Sequence, residues 1–253
     1  MSFEITGDAY DRFMGRYSTK LSPQLVDLAG VAVPQRVLDV GCGPGALTDE
    51  LVRRVGAASV AAVDPSESFV GVVKERQPGV AVQRAVAEDL PFGDSEFDAS
   101  LAQLVVHFMR NPVAGLREMS RVTRPGGTIA ACTWDHVPGG EGALSVFFTA
   151  SQRLDPDAPA ETRMPGARRG HLGELFRAAG IKEVEETPLI ASVVHPTFED
   201  WWEPFMLGVG STGEYLSKLD EAQLERLKDL CREELPPEPF TLNARAWAAR
   251  GTS

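Results

Sequence analysis

Gly41, Gly43 and Gly45 stand at alternate positions in Val37-Leu-Asp-Val-Gly-Cys-Gly-Pro-Gly45. A strand-to-helix turn built this way lets backbone amides approach a ligand closely, as phosphate and nucleotide sites require. Two details narrow the ligand. The dinucleotide pattern is G-x-G-x-x-G, and here the last glycine comes one residue early. Asp39 stands two residues before the first glycine, where its charge opposes a pyrophosphate and favours a cation. A second carboxylate, Asp64, ends the next apolar run, at the distance where an acid accepts hydrogen bonds from ribose hydroxyls. Cys42, inside the turn, reads as a small buried filler rather than a reactive thiol.

Further along, His107 lies in the apolar stretch Leu104-Val-Val-His-Phe-Met109. It is either a general base for an acceptor atom or a packed wall residue. Phe147, Trp201 and Trp202 invite a similar pair of readings: they line an apolar acceptor pocket or form the core of their own segment. His136, His171 and His195 have no metal-ligand spacing with neighbouring acids or cysteines, so no metal is expected. Cys42, Cys132 and Cys231 form no C-x-x-C pair, which argues against both a disulfide framework and a structural zinc.

Short apolar runs alternating with helix-like segments supply the scaffold for these residues. Strands are expected at 36–40, 59–63, 80–83 and 97–102, a helix at 112–122, a turn at 124–127 and a fifth strand at 128–134. Leu21, Leu25 and Leu28 mark an amphipathic helix expected to pack on the sheet edge. After Trp134 come a helix over 143–154, a Pro, Ala and Gly-rich stretch, a helix over 171–179 and a strand over 184–195. A helical cap insert (about 197–235) and a closing strand over 240–250 complete the chain. The division is an N-terminal helical segment (1–35), an α/β core (36–134), and a C-terminal remainder of the same domain (135–253).

The chain has 253 residues and a formal net charge of −11. Its pI near 4.9 argues against nucleic acid and anionic membranes as partners. The first residues lack the pattern of a secretory signal, and no run approaches the roughly 20 apolar residues of a membrane span, so a cytoplasmic location is expected.

Taken together, Val37–Gly45, Ala62-Val-Asp-Pro-Ser66, Glu88-Asp-Leu-Pro-Phe92, Phe97–Met109 and Leu116–Gly127 resemble, in order, the motifs of class I S-adenosylmethionine-dependent methyltransferases. The resemblance is to the small-molecule branch that includes ubiquinone and menaquinone biosynthesis enzymes, and it covers roughly Arg36 to Trp134. It implies a Rossmann-like, doubly wound, mostly parallel seven-stranded α/β sheet. It also implies S-adenosylmethionine as cofactor, S-adenosylhomocysteine as product and a small-molecule acceptor. Carried over to this sequence, Gly41, Cys42 and Gly43 would lie against the methionine moiety, with Asp39 toward its ammonium group and Gln103 facing the same portion. Asp64 would hold the ribose, Pro65 and Ser66 would flank the adenine, and Ala87 and Glu88 would meet its edge. Many relatives have an acid two positions before the Glu88 equivalent, where this chain has Val86. Tyr10 and Arg16 lie in a stretch that resembles the opening segment of a subset of the family, and would close over the cofactor. Two other readings stay open: a nicotinamide-dependent oxidoreductase on a similar sheet, and a non-catalytic cofactor-binding module.

Overall fold

The computed structural model describes residues 11–136, 140–158 and 163–253. A π-helical turn, Asp11–Gly15, leads into α1 (Arg16–Ala29). Then follow β1 (Val37–Val40), α2 (Ala46–Val55), β2 (Val60–Asp64), α3 (Glu67–Arg76), β3 (Ala81–Arg84) and β4 (Phe97–Gln103). The second half comprises α4 (Pro112–Val122), β5 (Thr123–Trp134), α5 (Ser145–Leu154), α6 (His171–Ala178) and β6 (Lys182–His195). The chain continues through α7 (Phe198–Trp202), α8 (Gly210–Leu216) and α9 (Glu221–Glu234) to β7 (Phe240–Thr252).

The strands form one seven-stranded sheet in the order β3-β2-β1-β4-β5-β7-β6, in which only β7 runs against its neighbours. Successive strand residues face opposite sides. Val37, Val60, Ala62, Ala130 and Cys132 join the core under α1, α2 and α3, whereas Leu38, Ala61, Val63, Ile129 and Ala131 join the core under α4 and α6. This is the doubly wound α/β arrangement. Chain order runs outward in both directions from the β1–β4 boundary, which is the switch point where such sheets open a crevice at their carboxyl ends.

Some expectations shift. α1 lies across β4, β5, β6 and β7, on the sheet's face rather than its edge. Leu21 and Leu25 are wholly buried there. The turn expected at 124–127 is kept as a bulge inside β5: Thr123 is level with Phe97 and Thr128 with Ala99, so four residues stand opposite Asp98, and Gly126 has φ +75°. Gly126 N donates to Ser253 O (3.2 Å), and Ser253 N donates to Gly127 O (3.0 Å).

β6 and β7 also outrun their neighbour. The end of β5, Trp134, is level with Ala246, and Ala246 with Leu189, yet β6 continues to His195 opposite Phe240. Six further residues at about 3.3 Å each give an overhang of about 20 Å beyond the end of β5. The helices α7, α8 and α9 are inserted between the ends of this ribbon. Thr197 caps α7 by accepting from Asp200 N, and Asp220 with Gln223 forms a capping box on α9.

Candidate functional site

The crevice at the switch point has about 110 Å³ of free volume and opens to solvent, at the place where doubly wound sheets bind ligands. Its floor is the turn after β1. The Gly41 and Cys42 amides both donate to Val63 O, at 2.7 and 2.9 Å, tying the turn to the end of β2. Gly41 has φ +73°, and a Cβ there would stand 2.5 Å from both Val105 γ-carbons. Gly43, at φ +52°, faces open space. The first glycine is thus required by packing as well as by backbone angle, the second by angle alone.

Asp39 is 1% exposed. Thr48 Oγ1 donates to its Oδ2 at 2.6 Å, and its Oδ1 accepts from no donor among the described residues. Burial pushes this carboxyl up to about 7. The Thr48 hydrogen bond opposes the rise, and repulsion from Asp64 and Asp49 adds to it. Asp64 is better satisfied: Gly43 N donates to Oδ2 (2.9 Å) and Ser66 N to Oδ1 (2.8 Å). Burial also raises the Asp64 pKa, against the pull of those two amides.

Across the crevice, at the end of β4, Gln103 Nε2 donates to Ser18 O at 3.1 Å. Gln103 Oε1 is buried with no partner among the described residues. The next residue, Leu104, takes a left-handed φ of 61°, uncommon for a branched side chain and characteristic of functional turns. This bend brings Leu104, Val105 and Phe108 onto the crevice wall.

Seven residues singled out from sequence line the crevice: Asp39, Gly41, Cys42, Gly43, Asp64, Pro65 and Gln103. Ser66 instead caps α3, accepting from Phe69 N at 3.5 Å. Glu88 accepts from Asn111 N (3.0 Å), Ala87 is buried beneath the 85–90 loop, and Val86 is 45% exposed. That loop adjoins Asp64 through Ala85 N, which donates to Asp64 O (3.2 Å). Arg16 faces away from the crevice in an ion pair with Asp200 (3.0 Å). Tyr10 lies outside the described residues. Ser18, Phe69, Leu104, Val105 and Phe108 also line the crevice and were not singled out. Ser18 left no signal because it contributes a backbone carbonyl, which every residue type carries. Phe69, three residues after the cap Ser66, could have been found from its place in the first turn of α3.

His107 is buried behind that wall, its ring centroid 4.0 Å from that of Phe108. Burial, and then the neighbouring His136, push its pKa down to about 3, so it is neutral at physiological pH. A second cavity of only about 10 Å³, room for about one water, lies where α1 meets the cap insert, and Trp201 lines it with Phe205. Phe147 and Trp202 pack behind these two. Phe147 stacks on Phe205 (4.9 Å, 8°), and Trp202 stacks between Phe198 and Phe205 (5.8 and 6.0 Å). Among the described residues no group of His, Cys, Asp or Glu side chains is placed to hold a metal ion, and no helix is long and apolar enough to cross a membrane.

Comparison with known proteins agrees with this geometry. A family described as a methyltransferase domain matches residues 38–131. An uncharacterized methyltransferase of Mycobacterium tuberculosis is 34% identical over 51% of this chain and 50% of its own length. A malonyl-[acyl-carrier protein] O-methyltransferase of Hahella chejuensis is 30% identical over 73% of this chain and 70% of its own length. Among solved structures, a geranyl diphosphate methyltransferase in complex with SAM aligns with a TM-score of 0.52 at 17% identity, covering 93% of this chain and 85% of that one. The chain thus spans about half the length of the first of these relatives.

Proposed function

We propose that this chain, which belongs to the class I S-adenosylmethionine-dependent methyltransferases, binds that cofactor in the switch-point crevice and transfers its methyl group to a small-molecule acceptor. The observation that carries this reading is a pair of buried acceptor oxygens, Asp39 Oδ1 and Gln103 Oε1, on residues that line one crevice without donors among the described residues. An unpartnered buried acceptor costs about 1–3 kcal/mol, so the crevice favours a ligand rich in donors and positive charge. The ammonium group of S-adenosylmethionine meets that demand. A pyrophosphate, which offers only acceptors beside Asp39, does not, and this disfavours a nicotinamide cofactor.

In this reading Asp39 and Gln103 hold the amino-acid end of the cofactor, Gly41 and Gly43 admit it to the backbone, and Asp64 accepts from the ribose hydroxyls. Pro65 and the 85–90 loop frame the adenine. Glu88 is engaged with Asn111 and Val86 has no polar group, so recognition of the adenine edge falls to main-chain groups. The bound cofactor supplies a methyl group activated by its sulfonium charge. The protein then has to align the acceptor and exclude water, a task for which apolar walls are suited. His107 packs behind that wall rather than acting on the acceptor, since it is buried and does not line the crevice.

Calorimetric titration with S-adenosylmethionine, S-adenosylhomocysteine and NAD tests the reading. The first two bind and NAD does not, and Asp64→Ala weakens both by at least about tenfold, or roughly 1.4 kcal/mol. Tight NAD binding, or full affinity in Asp64→Ala, would overturn it.

A further inference from the structure

Asp39 is open to the crevice through one oxygen because a hydroxyl on the neighbouring helix holds the other. Thr48 lies in the first turn of α2 and is wholly buried, and its Oγ1 donates to Asp39 Oδ2 at 2.6 Å. A hydroxyl inside a helix ordinarily returns its proton to the carbonyl four residues back. Thr19, Ser22 and Ser151 do so here, donating to Gly15 O, Ser18 O and Phe147 O at 2.8, 3.0 and 2.7 Å. Thr48 does not. The carbonyl four residues behind it, Pro44 O, accepts from Arg76 Nη1 at 2.9 Å. A hydroxyl has one proton to give, and that of Thr48 goes to the carboxylate.

The same contact serves the helix. Gly45, at the start of α2, has no side chain with which to cap it. The Asp39 carboxylate meets the first turn in its place, where negative charge is favoured by the helix dipole. Both the hydroxyl and the main-chain amide of Thr48 favour its charged form, against burial and the charges of Asp64 and Asp49. Those charged neighbours are acidic. Asp64 ends β2, and Asp49 lies on α2, held by Arg76 and Gln77 from the end of α3. Burial, with the charges of Asp39 and Asp64, keeps the Cys42 thiol of the glycine turn protonated. Gln103, on β4, is neutral, and its Nε2 is committed to Ser18 O.

We propose that Thr48 is a positioning residue for the amino end of the cofactor: its hydroxyl fixes one oxygen of Asp39, so that the other is presented, ionised, to the ligand's ammonium group. The proposal rests on the methyltransferase reading above and adds a residue that touches no ligand itself, since Thr48 does not line the crevice. Without the hydroxyl the carboxyl is free to turn about its Cβ–Cγ bond, and it loses the hydrogen bond that favours its charge. The consequence is selectivity for one functional group. An adenosyl ligand that carries the amine draws on Asp39, and one that lacks it does not.

Calorimetric Kd values for two ligands separate this role from support of the turn: S-adenosylhomocysteine, and its analogue with hydrogen in place of the amino group. Thr48→Val has nearly the same shape and no donor. It weakens S-adenosylhomocysteine by about tenfold at pH 7 and leaves the analogue within about twofold of wild type. Thr48→Ser restores most of the lost affinity. In wild type, S-adenosylhomocysteine binds less tightly as pH falls through about 7, where Asp39 takes up its proton. In Thr48→Val that midpoint moves to higher pH, because burial and the acidic neighbours act unopposed, while the ligand's own amine titrates alike in both proteins. Equal losses for the two ligands, unchanged affinity of Thr48→Val for S-adenosylhomocysteine, no recovery in Thr48→Ser, an unmoved midpoint, or equal wild-type affinity for the two ligands overturns the proposal. Failure of wild type to bind S-adenosylhomocysteine at all instead overturns the cofactor reading beneath it. Should Thr48→Val not fold, Thr48→Ala removes the same donor from the helix and decides the matter by the same readings.

Discussion

Asp39 shows how a binding residue opposes folding until its ligand arrives. Its carboxyl has a pKa near 7 in the folded chain against 3.8 as the reference. The folded state thus holds a proton that the unfolded state releases between those values. Stability falls as pH rises from about 4 to 7, by on the order of 4 kcal/mol for a shift of this size. Asp39→Asn removes the dependence. Thermal unfolding of the ligand-free variant at pH 8 is expected to show a higher Tm than wild type, while S-adenosylhomocysteine no longer raises it. A wild-type Tm indifferent to pH between 4 and 8, once the other carboxylates are allowed for, would refute the assignment. His107 has the opposite sign: its pKa lies below the unfolded value, so its contribution is lost as pH falls from 6.5 towards about 3. Residue type and spacing pointed to Asp39 and Asp64, and the family resemblance to Gln103. They did not show which oxygen of each is left open, because that depends on Thr48 and on the Ser18 carbonyl, positions that sequence spacing does not bring together.

Elements were legible wherever local pattern and tertiary demand coincide. α4 occupies 112–122 as its Asn111 cap, Pro112 start and buried Leu116 and Met119 require. The error arose where a distant segment intervened: α1 reaches over the sheet face because β6 and β7 extend beneath it. The turn at 124–127 sits inside the span of β5 as a bulge opposite Asp98. The turn between β1 and α2 yields a prediction on this scale. Gly41→Ala meets both Val105 methyls and a left-handed φ, and should lower stability by about 1–3 kcal/mol in urea unfolding. Adding Val105→Ala relieves the clash and leaves the backbone strain, so it should restore part of the loss. Equal stability of Gly41→Ala and wild type would mean that the turn can relax away from Val105.

On the scale of the molecule, the crevice and the cap fall on different parts of one sheet. The crevice belongs to the turns after β1, β2 and β4, and the second cavity belongs to α1, the end of β6 and the cap. Phe147, wholly buried among cap aromatics, tests this division. Phe147→Ala should reduce stability by roughly 3–5 kcal/mol yet leave the S-adenosylhomocysteine Kd of the folded protein within about twofold. A tenfold loss of affinity would show that the cap and the crevice respond as one unit. The ribbon that carries the cap has a consequence of its own. The insert leaves the sheet after His195 and returns at Phe240, and these two residues are partners in the β6–β7 ladder. Its two ends are therefore pinned side by side, about 5 Å apart, whatever lies between them. A graft made at this point would meet a fixed junction, as loops do on an immunoglobulin scaffold. Exchange of the 196–239 segment between relatives is thus expected to leave the rest of the sheet, and the crevice at the end of the β1–β4 ladder, in place.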